Sequence, residues 1–183
     1  AARLCAGHTF ERTLQFVLFT GEEQGLLGSA VYDSKLSDEG TSVVAVVNMD
    51  MIAWDKLGAP ILHAHTRPAV SPGYAADLQI AQLMEWVTGA YGLSGTTQPL
   101  TVPEGDSASD HASFWDYGYP AVMVIEDYPD DFCEYYHTSG DTPATLNMGY
   151  LTSSVKTAVG MMAHLAIPAD QTAARQDVWP AMN

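Results

Sequence analysis

The sequence predicts an α/β protein, a three-layer sandwich in which helices flank a mostly parallel or mixed central sheet. Two observations carry this. Short, nearly continuous apolar runs rich in β-formers alternate with segments of helical periodicity, the pattern of an α/β rather than an all-β chain. The runs also lack polar/apolar alternation, which marks strands buried on both faces. At 183 residues and 47% hydrophobic content, the chain can form one domain with a substantial core.

Ala1 to Ala6 reads as the last turns of a helix ending at Gly7, with no Met and no cap before it, so the domain is expected to begin upstream. Thr13 to Thr20 is the first expected buried strand, and Gly25 to Leu36 a short helix. "SVVAVVNMD" from Ser42 is the second strand and "PILHAHT", Pro60 to Thr66, a weaker one. Pro72 to Gly89 has helical spacing, with Trp86 on its core face. Ser109 to Tyr117 is a short helix that Ser109, Asp110 and His111 would cap and open; support of neighbouring site residues is the alternative role for these three. "PAVMVIED", Pro120 to Asp127, is a third strong strand. Asn147 to Leu165 reads as a long amphipathic helix with Asn147 as N-cap and Met161 and Met162 in the core. Residues 1–167 form one domain, and 168–183 a tail.

Asp and Glu number 22 against 7 Lys and Arg, a net charge of -15. Nucleic acid and anionic membrane surfaces would repel such a chain, whereas a cationic ligand would be attracted. No apolar run has the length to span a bilayer. Cys5 and Cys133 allow one internal disulfide or two thiols, and both stay open.

Ligands of open α/β sheets bind beyond the carboxyl ends of the strands, where Glu22, Glu23, Asp50 and Glu126 are expected to gather. Taken singly, the adjacent glutamates read as a solvated turn, Asp50 as a cap and His137 as an ordinary loop histidine. Together they cost roughly several kcal/mol in mutual repulsion unless a cation compensates. Zinc accepts carboxylate oxygen and imidazole nitrogen, and "EYYHTSGDT" supplies His137. One glutamate can then hold the metal while its neighbour accepts a proton from the attacking water. His63 and His65, two apart, share one strand face, expected to be a surface; an adventitious metal site is the alternative. The acids of "DYPDDFCEYYH" read as a solvated loop.

Through "FVLFTGEEQGLLGS", "VVNMDMI", "SDHASFWDYGYPAVMVIED" and "YHTSGDT", in that order from about Arg12 to Thr142, the chain resembles the M28 co-catalytic zinc peptidases. The resemblance implies Glu22 as general base, Glu23 and His137 as ligands of one zinc, and Asp50 as a ligand of the other. It implies the fold of the phosphorylase/hydrolase-like zinc exopeptidases, N-terminally truncated, with 1–167 the C-terminal part of the catalytic domain. The family's upstream His-x-Asp motif and bridging aspartate are not in this chain, so two zinc ions are expected only in the complete enzyme, with the missing N-terminal segment a partner. The implied substrate is a peptide with a free N-terminus, and the implied location is secreted or periplasmic. "PEGDSASDH" has no tyrosine, which leaves the oxyanion donor unassigned. Two further readings are a non-catalytic binding or receptor-type domain on this fold and a single-zinc glutaminyl cyclase-like acyltransferase.

Overall fold

A computed structural model of the chain describes residues 1–169; the expected tail lies almost wholly outside them. The elements are α1 (Ala2–Cys5), α2 (Leu27–Asp38), β1 (Val46–Met49), β2 (Ile61–His65), α3 (Tyr74–Ala90), β3 (Gln98–Val102), α4 (His111–Asp116), β4 (Ala121–Glu126), a 3₁₀ turn (Pro143–Thr145) and α5 (Met148–Ala166). The sheet is mixed, in the order β1-β4-β2-β3. β4 runs parallel to β1 and antiparallel to β2, and β3 runs parallel to β2. All six residues of β4 are buried, as expected for an uninterrupted apolar strand in the middle of a sheet.

Helices cover both faces, so the three-layer expectation holds. On one face α3 and α5 bring Ile80, Leu83, Met84, Val87, Tyr150 and Met161 against Leu62, Ala64, Val122 and Val124, with Trp86 packed at the margin. On the other, α2 and α4 close over Ala121 with Leu36 and Phe114. Asn147 caps α5, its Oδ1 accepting the Tyr150 N–H at 3.1 Å. Among the described residues no helix is long and apolar enough to cross a membrane, and both cysteines are free thiols.

The structure corrects the sequence reading in three places. Thr13 to Thr20 is not a strand: it pairs with nothing, and Leu18 is 99% exposed. It is tied down by side chains instead: Phe19 meets Tyr32 and Phe114, and the Tyr32 hydroxyl donates to Gln15 Oε1. The run has strand-forming residues, but a strand needs a partner with free ladder groups, and no described segment lies in register with it. The chain also contains an unexpected strand, β3; Pro99 argues against a central strand but is tolerated at an edge, which is where β3 lies. Finally, β2 is interior rather than superficial, so His63 and His65 are buried.

Between α2 and α4, Ser29 Oγ lies 2.9 Å from Ser113 Oγ. Nearby Asp33 is fully buried, and neither of its carboxylate oxygens has a partner. Burial, reinforced by Asp110 and Asp116, raises its pKa from 3.8 to about 7. Because the folded state holds this proton more tightly than the unfolded chain, the associated stability is complete below about pH 4 and is lost as pH rises through 7. Asp33→Asn removes the titration. Thermal denaturation should show the variant gaining roughly 2–6 °C more over the parent at pH 8 than at pH 5; an equal difference at both would mean that Asp33 reaches water in the fold.

Candidate active site

The acid pair sits on a turn closed by the backbone. Gly25 and Leu26 N–H groups donate to Glu22 O at 3.0 and 2.9 Å, and Gly28 N–H donates to Thr20 O at 2.9 Å. A Cβ at position 28 would stand 2.5 Å from that same oxygen, so only glycine lets α2 begin so close to the preceding segment. On this turn Glu22 is half-buried and Glu23 exposed.

Asp50 follows β1 and is tied to the sheet by its N–H, which donates to Val124 O at 3.0 Å. Its Oδ2 accepts from Ser109 Oγ at 2.8 Å, and Ser109 Oγ accepts in turn from Asn48 Nδ2 at 2.8 Å. Ser109 therefore bonds Asp50 and does not cap α4. Asp110 occupies the N-cap position of α4 without a side-chain cap bond. His111 opens the helix and donates from Nε2 to Asp106 O at 2.8 Å, while His65 Nδ1 accepts the Asp106 N–H at 3.0 Å. Two buried rings thus pin the Asp106 peptide groups on the loop leading to Ser109. Burial is the main cause that lowers both rings to about 4, which keeps them neutral at physiological pH. The His-x-His spacing correctly placed His63 and His65 on one face, but nothing local distinguishes a buried face from a surface one.

His137 comes from the loop after β4, in the left-handed region at φ 57°, with Nε2 2.6 Å from Glu23 Oε1. Its ring stacks on Tyr136 at 3.7 Å. Glu22, Glu23, Asp50 and His137, drawn from more than a hundred residues of chain, all line one cavity of about 720 Å³. Among the described residues, three of the five non-glycine residues with positive φ, Leu26, Met51 and His137, lie on its wall; such backbone is unfavourable and persists only where the surroundings impose it. Burial, then Asp50, Glu23 and Asp110, raise the Glu22 pKa, and His137 partly offsets them. The remaining lining is largely apolar, including Met51, Ile52, Met123, Ile125 and Phe132.

Glu126 borders this cavity but does not join the acid group: it is 2% exposed, and its Oε2 accepts the N–H groups of Trp54 at 2.8 Å and Ala53 at 3.3 Å. Two carboxylates and an imidazole have the donor chemistry zinc requires. Among the described residues, however, no group of three or more His, Cys, Asp or Glu is arranged to hold a metal ion. Glu23 and His137 meet each other, and Asp50 is turned to Ser109.

A mixed sheet between helical layers, with Asp50 directly after β1, His137 on the loop after β4 and the acid pair on the turn before α2, defines an α/β domain with a polar cavity at its edge. Residues 1–162 match the profile of peptidase family M28, and the chain belongs to that family. It is 32% identical over 155 residues to a probable leucine aminopeptidase of Arthroderma otae, covering 85% of this chain and 39% of that protein. The LapA aminopeptidase of Legionella pneumophila superposes with a TM-score of 0.71 at 26% identity, over 86% of this chain and 41% of that one. BSAP, a zinc aminopeptidase from Bacillus subtilis, shares the fold with a TM-score of 0.73 at 23% identity, over 88% and 38%. The chain spans about two fifths of the length of these relatives.

Ser109→Ala would leave both Asp50 Oδ2 and Asn48 Nδ2 without this partner. Urea denaturation should register a loss of about 1–3 kcal/mol; no change would mean that water replaces the hydroxyl.

Proposed function

We propose that the complete protein is a zinc aminopeptidase and that this chain carries its general base, part of its metal shell and its side-chain pocket. The observation that carries the reading is the convergence of Glu22, Glu23, Asp50 and His137 on one cavity with an apolar floor. The names of the relatives favour a peptidase over a cyclase-like acyltransferase, and a binding domain would have no use for a costly acid cluster.

Glu23, Asp50 and His137 are the residues that would hold zinc. When bound, zinc polarises a scissile carbonyl and lowers the pKa of water toward ~7. Glu22 accepts the proton of the attacking water and passes it to the leaving amine; its raised affinity for protons suits that task. The surrounding carboxylates attract the ammonium group of a free peptide N-terminus, and the apolar floor takes its first side chain. Tyr136, on the same wall, keeps its phenol protonated because burial and then Glu23, Glu22 and Asp50 disfavour the phenolate. Its hydroxyl is the proposed donor to the oxyanion. Secretion or periplasmic residence belongs to the same reading and rests on family resemblance and acidic composition.

In the complete protein, Glu22→Gln should retain zinc and lose on the order of 10²–10⁴ in kcat, since the amide fits but accepts no proton. Glu23→Gln should lose zinc as well as activity, because an amide is the poorer ligand. Zinc per chain and turnover of leucyl-anilide check both; near-normal turnover in Glu22→Gln would sink the base assignment. Chelation followed by zinc addition should abolish and then restore activity. Tyr136→Phe should lower kcat with little change in KM, on the order of 10²-fold.

A further inference from the structure

The wall of the cavity formed by residues 51–57 has neither helix nor strand, yet it follows directly on Asp50. Met51, Ile52, Ala53 and Trp54 face the 720 Å³ cavity. Behind them, Trp54, Asp55 and Lys56 border a second cavity of about 320 Å³. Ile52 packs on the core and Trp54, which borders both cavities, lies edge-on to Tyr135, but the backbone between them belongs to no helix or sheet ladder, so its position depends on its polar anchors.

Those anchors are two buried carboxylates. Glu126 Oε2 accepts the Trp54 and Ala53 N–H groups at 2.8 and 3.3 Å. Asp131 Oδ2 accepts the Lys56 and Leu57 N–H groups at 2.8 and 2.7 Å, and its Oδ1 accepts the Trp54 indole Nε1–H at 3.0 Å. Asn147 closes the far side, its N–H donating to Ala53 O at 2.8 Å. The Glu126 N–H also donates to Met51 O at 2.9 Å, so one residue grips the segment at its beginning and its middle. Both carboxylates are nearly inaccessible to solvent, and burying a carboxylate is costly unless its hydrogen bonds are made. Five N–H donors offset that cost, three at Asp131 and two at Glu126 Oε2, while Glu126 Oε1 has no partner and burial raises the Glu126 pKa to about 7.

We propose that Glu126 and Asp131 are positioning residues that fix the bore of the side-chain pocket, and that selectivity for the amino-terminal residue of the substrate is set through them. This rests on the reading of the cavity as the site for that residue. Neither carboxylate touches the reacting atoms: Glu126 acts through Ala53 and Trp54, and Asp131 through Trp54, Lys56 and Leu57. If the clamp opens, the wall can retreat into the space behind it, and the advantage of a side chain that fills the pocket over one that does not declines.

The test uses the complete, zinc-loaded enzyme with alanyl, leucyl and phenylalanyl anilides, alongside amide hydrogen exchange at Ala53 and Trp54. Glu126→Leu should speed exchange at both amides. It should also lower the leucyl-to-alanyl ratio of kcat/KM by roughly tenfold, the scale of discrimination that a few methylenes in an apolar pocket provide. The change should fall mainly on KM for leucyl substrate. Glu126→Gln keeps an acceptor oxygen and should hold the ratio within about threefold of the parent. Asp131→Asn is the second variant, should Glu126→Leu fail to fold; it should quench or shift Trp54 emission and move the ratio in the same direction. Faster exchange with an unchanged ratio would overturn the proposal, as would a lowered ratio with unchanged exchange. A parent that cleaves none of the anilides would instead overturn the peptidase reading, and exchange in the same samples would still decide whether the carboxylates hold the wall.

Discussion

Strand β4 places the rest of the molecule. It is buried along its whole length and pairs on both sides, parallel with β1 and antiparallel with β2. Its backbone reaches past the formal strands as well: Val124 O receives the Asp50 N–H, and the Glu126 N–H goes to Met51 O. The positions of Asp50, of the wall after it and of the loop carrying His137 are thus all referred to one strand. Because β4 is laddered to a neighbour on each side, its register is held by two sets of backbone hydrogen bonds at once, and the site inherits the rigidity of the core.

Electrostatics imposes the second condition. The chain has few cations to spend on its acids, and Arg67 is already committed to Asp77 at 2.7 Å. Around Glu22 the charges of Asp50, Glu23 and Asp110 therefore accumulate with only His137 in opposition. Such an arrangement is expensive for stability and useful for chemistry, because it raises the proton affinity of a carboxylate at the mouth of an apolar cavity. The interior histidines are neutral for a different reason, burial, which outweighs the nearby acids: His65 and His111 serve as hydrogen-bonding struts to Asp106, a task that an imidazolium could not perform at His65, where the ring nitrogen is the acceptor.

Much of this was legible in the sequence, and the gaps have physical causes. β4, β1, α3 and α5 were readable because continuous burial or helical periodicity is a local property of the chain. Asn147 was readable because capping is local too. The unpaired run at Thr13 to Thr20 was misread because pairing is not local: its residues favour a strand, but propensity supplies no partner. The role of Ser109 depended on Asp50 lying opposite it, a contact across 59 positions that no short motif encodes. The gathering of Glu22, Glu23, Asp50 and His137 was legible from resemblance, whereas the strand-end argument holds only for Asp50, because among the described residues no strand precedes the acid pair. The separate task of Glu126 was not legible, because its partners are backbone groups of a loop without any sequence signature.

The open run beside β1 has a consequence for how copies of this chain behave toward one another. Phe16, Val17 and Leu18 present an unpaired, apolar stretch to water, and Val44, just before β1, is also exposed. Unsatisfied strand-forming surface of this kind is a template for intermolecular β-pairing. Opposing it is the net charge of -15, which makes copies repel. The two act over different ranges: repulsion between exposed charges is screened within about 10 Å at 0.1 M salt, whereas apolar contact is not. Rising ionic strength therefore weakens the repulsion between copies while leaving this apolar stretch as open to contact as before.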